Sequence, residues 1–170
     1  LERIRETLRR FADAFPDARI HFAAKANTGR ATLQTLRREG AGVECASPGE
    51  LRAALDAGFA PSRIHYTAVN PLDEDLDRLV TYSRDAPAMT VTAGAVDTLD
   101  RLADRGYRGR IALRVNPDVG VGHHEKVATG ADAQFGLPYD RVPEVVERAR
   151  ADFRFVGLHA HVGSGVLDDD

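Results

Sequence analysis

The chain has 170 residues, 43% of them apolar and 29% charged, with a formal net charge of −3. That length suits one substantial domain and is marginal for two, and the apolar fraction is that of a globular protein with a real core. Acidic and basic residues are interspersed, so composition offers no concentrated basic face for nucleic acid, and no apolar run approaches the ~20 residues of a membrane span.

The N-terminus, Leu1-Glu2-Arg3-Ile4-Arg5, lacks both an apolar signal core and a start methionine; it reads as the middle of a longer chain. The first strand signal is Ile20–Ala24. A helix is predicted over Ala31–Glu39, where Ala31, Leu33 and Leu36 make one apolar face. Gly42–Ala46 reads as the second strand. It contains Cys45, the lone cysteine, which excludes a disulfide framework, points to a reducing cytoplasmic setting, and is read as a small buried hydrophobe. Pro48–Ala57 carries helix punctuation: Ser47 as N-cap, Pro48 at the first position, Glu50 in the first turn and Gly58 as the stop. Strand Arg63–Ala68, helix Asp73–Ser83, strand Ala88–Thr92 and helix Ala95–Arg105, ended by Gly106, continue the alternation. After strand Arg110–Val115 comes a long connection, Asn116–Phe135, with Gly120, Gly122, Gly130 and the adjacent His123 and His124. It is too long for a structural βα loop and reads as functional. Helix Arg141–Ala151 and strand Phe155–Val162 close the pattern, and Asp168, Asp169 and Asp170 read as an arbitrary chain end.

Strand and helix alternating at roughly 20–25 residues per unit signify a parallel sheet with crossover helices. A doubly wound sheet and a (β/α)8 barrel both fit six strands. The absence of Gly-x-Gly-x-x-Gly after the first strand weakens a dinucleotide fold. Lys25, Asn27, Glu44, Arg114, Asn116, His161 and Ser164 all fall at or just past C-terminal strand ends, where barrel enzymes build their sites. A complete barrel takes eight units and about 250 residues, so residues 1–170 are expected to form a partial α/β barrel domain, with the C-terminal barrel units and a further β domain absent.

Several residues carry possible chemistry. A lysine desolvated behind an apolar strand is a nucleophilic amine able to condense with a carbonyl; a solvent-exposed strand-end lysine is the plainer reading of Lys25, and local pattern alone favours it. His159 and His161 stand two apart, on one face of a strand. They suit a metal pair, or one histidine facing a planar ligand, though two ligands do not complete a zinc site. The segment Val162-Gly163-Ser164-Gly165 suits a phosphate cradle or an ordinary turn. Glu44 and Arg114 either orient a cofactor ring or pair with each other. No Ser-His-Asp arrangement or Walker-type loop is present, and no metal site is assigned.

In order, Phe22-Ala23-Ala24-Lys25-Ala26-Asn27, Gly42-Val43-Glu44-Cys45-Ala46-Ser47-Pro48-Gly49-Glu50-Leu51, Ile111-Ala112-Leu113-Arg114-Val115-Asn116-Pro117 and His159-Ala160-His161-Val162-Gly163-Ser164 resemble blocks of the alanine-racemase-like pyridoxal-phosphate (PLP) barrels, the family of the diaminopimelate, ornithine and arginine decarboxylases. Four blocks in family order are far more specific than any one.

The resemblance implies that Lys25 holds pyridoxal 5'-phosphate as a Schiff base and yields it to the substrate amine. It further implies that His161 stacks on the cofactor ring, that Ser164 binds the phosphate, and that Glu44 and Arg114 belong to the polar network beside the cofactor. The connection Gly122-His123-His124-Glu125-Lys126-Val127-Ala128-Thr129-Gly130, then Phe135-Gly136, resembles that of diaminopimelate decarboxylases, particularly archaeal ones. This implies decarboxylation of meso-diaminopimelate to L-lysine by the parent enzyme, a lyase of lysine biosynthesis. Two departures stand out: Gln134 replaces the lysine usual before Phe-Gly, and Gly165 follows Ser164 where glutamine is common.

The family's pyridinium-nitrogen glutamate, glycine-rich phosphate loop, and the cysteine and tyrosine that complete the site across a homodimer all lie beyond residue 170. The isolated chain is therefore expected to be inactive. Alternatives are a decarboxylase of ornithine, arginine or lysine, a non-enzymatic PLP-binding homologue, and a metal-dependent barrel hydrolase using His159 and His161. The expected partner is a small amino-acid substrate, with no nucleic acid and no membrane.

Overall fold

The computed structural model describes residues 1–67, 69–116 and 135–161. Strands β1 (His21–Ala23), β2 (Gly42–Cys45), β3 (Ile64–Thr67), β4 (Thr90–Ala93), β5 (Arg110–Val115) and β6 (Arg154–Ala160) form one parallel sheet in chain order. The α-helices are α1 (Glu2–Ala14), α2 (Arg30–Arg38), α3 (Pro48–Asp56), α4 (Asp73–Asp85), α5 (Val96–Asp104) and α6 (Val142–Asp152). A doubly wound sheet reverses strand order at a switch point. Here every strand pairs with its sequence neighbours alone, and right-handed crossovers then keep the helices on one face. The sheet is an arc of an α/β barrel, incomplete at six strands.

Alternation along the strands sorts the two faces. Val43, Cys45, Ile64, Tyr66, Val91, Ile111 and Leu113 are buried and share one core with Leu33, Leu36, Leu51, Leu76, Leu79, Leu99 and Leu102 of the helices. Each such leucine contributes about 1.5–3 kcal/mol on leaving water, so this sheet–helix layer carries the fold. Burial pushes the Cys45 thiol up to about 12, which keeps it an inert hydrophobe. The inner face is polar, presenting His21, Glu44, His65, Thr90, Arg110, Arg114 and His159.

Local punctuation explains the boundaries. The Ser47 hydroxyl accepts from the Glu50 N–H at 3.3 Å, and the Glu50 carboxylate accepts from the Ala46 N–H at 2.8 Å, a reciprocal arrangement that starts α3. At the ends of α3 and α5, Gly58 and Gly106 adopt φ of +86° and +74°. The next residues, Phe59 and Tyr107, donate back to Ala54 and Leu102 and bury their rings, so each stop also aims the chain at the following strand. Helix α1 lies outside the predicted elements. Strand β4 begins later than predicted because Met89 donates to the Ala86 carbonyl, extending the turn through Pro87.

Candidate active site

The C-terminal ends of the strands converge on a cavity of about 440 Å³ lined by Lys25, Glu44, Glu50, Thr67, Arg114, Phe135, His159 and His161, among others. Register places them there. Ala23 pairs with Glu44, Glu44 with His65, and Arg114 with His159, and register partners in a parallel sheet point to the same face. Lys25 follows β1 in a short 3-10 turn, Ala24–Ala26, whose first residue is fully buried. The buried Ala24 fixes the turn, and the lysine side chain is exposed. Of the two readings weighed for Lys25, the described residues show the one that local pattern favours, an exposed strand-end lysine.

Glu44 and Arg114 face the same cavity, yet no ion pair within 4 Å joins them among the described residues. Burial lowers the Arg114 pKa from its usual value, with Glu44 acting in the opposite sense. The Arg114 guanidinium lies 5.4 Å from the centroid of the Phe135 ring, a cation–π distance. Phe135 is held there by a detour of the backbone. Leu137 donates to the Arg114 carbonyl at 2.8 Å and accepts from the Asn116 N–H at 2.9 Å, forming a parallel bridge with Val115. Between them Gly136, at φ +93°, approaches the end of β5 so closely that a Cβ would lie 2.8 Å from the Asn116 nitrogen.

His159 and His161 both reach the cavity. Burial lowers the His159 pKa, so its ring is neutral near pH 7, and its Nδ1 is buried with no hydrogen-bond partner among the described residues. A buried unsatisfied nitrogen beside a cavity marks a place for a ligand group or further chain. Ser164, His123, His124, Gln134 and the Val162–Gly165 turn lie outside the described residues. Among the described residues, no group of three or more His, Cys, Asp or Glu is arranged to hold a metal. Sequence reasoning passed over Glu50 and Phe135 as site residues. Glu50 was visible as the capping residue of α3, and Phe135 as the aromatic beside a glycine that ends the long connection.

Beneath the site lies a histidine pair that sequence reasoning missed. The His21 ring crosses Gly42, whose absent side chain leaves room for it: a Cβ there would collide with the ring. His21 so reaches His65, with ring centroids 4.4 Å apart. Burial, then the His21 neighbour, holds His65 down to about 4. An unfolded histidine takes its proton near pH 6.5. Between about pH 6.5 and 4 the unfolded chain therefore binds more protons than the folded one, and stability falls as pH is lowered through that window. Above it the ring is neutral in both states and this loss vanishes. His65→Val is expected to remove on the order of 2 kcal/mol of the acid-induced loss, read from urea midpoints at neutral and acidic pH. An unchanged pH slope in the variant would show that His65 is not responsible.

A lysine, a guanidinium, a carboxylate and a half-buried imidazole thus converge at the strand ends of a partial α/β barrel, the face at which barrel enzymes build their sites. The chain belongs to the family described as the pyridoxal binding domain of pyridoxal-dependent decarboxylases, which it matches over residues 1–170. It is 41% identical over 175 residues to the diaminopimelate decarboxylase of Methanothermobacter thermautotrophicus, covering 99% of this chain and 40% of that protein. Its identity to the Aquifex aeolicus diaminopimelate decarboxylase is 36%, covering 97% and 40%. The crystal structure of Helicobacter pylori diaminopimelate decarboxylase complexed with L-lysine superposes with a TM-score of 0.86 at 25% identity, covering 98% of this chain and 44% of that one. The chain thus spans about 40% of the length of the curated relatives it matches.

The described residues fit pyridoxal 5'-phosphate. Lys25 brings an accessible primary amine to the cavity, a group able to condense with an aldehyde. Glu44 and Arg114 offer opposite charges to a polar ring, and the His159 Nδ1 has no hydrogen-bond partner among the described residues.

Proposed function

We propose that the protein to which these residues belong decarboxylates meso-2,6-diaminopimelate to L-lysine, with Lys25 as the covalent anchor of PLP. The observation that carries this reading is the convergence of Lys25, Glu44, Arg114, His159 and His161 on one cavity, in a chain similar along nearly its whole length to diaminopimelate decarboxylases. PLP, when bound, supplies the electron sink for the carbanion left as CO₂ departs. The protein's residues do the rest. The Lys25 amine would hold the cofactor through its aldehyde and would be released from it by the substrate amine. His161 would stack against the cofactor ring, Ser164 would bind the phosphate, and Glu44 with Arg114 would fix the ring's orientation.

The remaining barrel units and a β domain complete the enzyme, with a second copy closing the site across a homodimer. A cytoplasmic location accords with Cys45 as the single cysteine.

The test is the purified full-length protein with PLP and each of meso-diaminopimelate, ornithine, arginine and lysine, following CO₂ release and the amine product. The expected result is L-lysine from diaminopimelate, with kcat/KM at least roughly 100-fold above the other three, because a site built to pair a polar group strongly rejects analogues that lack it. Preference for another of these amino acids would replace the substrate and leave the decarboxylase reading intact. PLP binding without turnover of any would favour a non-enzymatic carrier.

A further inference from the structure

The opposite end of the barrel gathers charge that the chain as a whole does not announce. At the N-terminal ends of β5 and β6, a cavity of about 380 Å³ is lined by Arg84, Arg105, Arg108, Arg110 and Arg154, with no Asp or Glu in its lining. Arg105 is occupied by Asp73 and Asp77, at 2.6 and 2.7 Å. Among the described residues, the others keep free donors. Arg108 uses one terminal nitrogen on the Ala103 and Tyr107 carbonyls, and Arg110 uses only Nε, on the Thr90 hydroxyl at 3.3 Å. The Arg84 and Arg154 side chains make no hydrogen bond or ion pair with any described residue. Asp85 and Asp104 adjoin Arg84 and Arg105 in sequence, but neither lines the cavity.

Two features separate this arrangement from a scatter of surface arginines. Arg110 and Arg154 are register partners on adjacent strands, a like-charge juxtaposition that is destabilising unless something negative lies between. The rim is also rigid. Tyr107 is buried and donates its hydroxyl to the Arg110 carbonyl at 2.9 Å, its ring packs on Phe153, and the Arg154 N–H donates to the Gly109 carbonyl at 3.0 Å.

From this we infer that the N-terminal face of the barrel holds a binding site for a dense, multiply charged phosphate-type anion, such as a diphosphate unit. Guanidinium forks pair with two phosphate oxygens at once, and four incompletely used forks around one opening match a diphosphate better than a single carboxylate. The site lies at the strand ends opposite Lys25, so it is separate from any cofactor phosphate site at the C-terminal face, and it does not depend on the decarboxylase reading.

The test uses the full-length protein saturated with PLP, so that cofactor phosphate groups are already satisfied, titrated calorimetrically with inorganic pyrophosphate. Saturable binding is expected, weakened at least roughly tenfold by the double substitution Arg84→Ser and Arg154→Ser. Both side chains are exposed, and an unchanged urea midpoint without ligand would show that the variant folds. A parallel titration with ADP separates two sources of the same chemistry: tighter binding than pyrophosphate identifies a nucleotide, equal binding the free anion. No saturable binding up to about 1 mM, or equal affinity in the double variant, overturns the site.

Discussion

Lys25→Ala in the full-length protein is expected to abolish the visible absorption band formed with PLP, and borohydride is then expected to leave no cofactor fixed to the chain. Decarboxylation should fall by at least roughly 10³-fold if Lys25 is the covalent anchor proposed above. The exposure of Lys25 sharpens the experiment. Substitution of an exposed side chain changes stability by only about ±0.5 kcal/mol, so a urea midpoint at the wild-type value would show that the loss is chemical. Cofactor still fixed by borohydride to the variant chain would place the anchor elsewhere and remove the basis for reading this cavity as the active site.

The second large effect is expected from Gly136→Ala. A side chain at φ +93° costs about 1–3 kcal/mol by itself, and the new Cβ would also press on the backbone of Val115 and Asn116 at 2.9 and 2.8 Å. Backbone atoms at the end of a core strand cannot swing aside, so the bridge through Leu137 must open and carry Phe135 off the Arg114 guanidinium. Gly40 is a matched control: its φ is +87°, but nothing lies within 4 Å of its Cβ position. Gly40→Ala should therefore show the conformational cost alone. Gly136→Ala should lose more stability in urea and, unlike Gly40→Ala, lower kcat for decarboxylation. Equal losses in the two variants, with kcat unchanged, would mean that the close approach at Gly136 positions nothing.

The sequence made some of this architecture legible and concealed the rest for definite reasons. Ser47, Pro48, Gly58 and Gly106 announce helix ends through local chemistry, and local chemistry survives in any context. Strand order cannot be read that way. Both a reversed and a sequential order fit six alternating units, and only the pairing of each strand with its sequence neighbours settled the barrel. Helix α1 went unpredicted although Ile4, Leu8 and Phe11 share a helical face. Its many charges mask that stripe, and only Leu8 is buried.

At the site, Glu44, Arg114, His159 and His161 were legible because strand periodicity fixes their face. The exposure of Lys25 agrees with the plainer of the two readings its strand-end position allowed. The contact of His21 with His65 spans three strands through a gap left by Gly42, and that of Phe135 with Arg114 spans the long connection. Neither has a local signature.

Sequential strand order also bears on how the chain acquires its structure. Each new ladder closes a loop only one βα unit long, so the entropy cost of closure stays modest at every step. Every strand arrives beside an edge already formed. No strand must insert between two older ones, as a doubly wound sheet demands. The arc is therefore suited to growth from its N-terminal end in the order of synthesis, with contacts of low sequence separation favouring speed. Of these six strands the one leading to Lys25 is laid down first and that of His159 last, so the two sides of the site meet only when the fifth ladder closes.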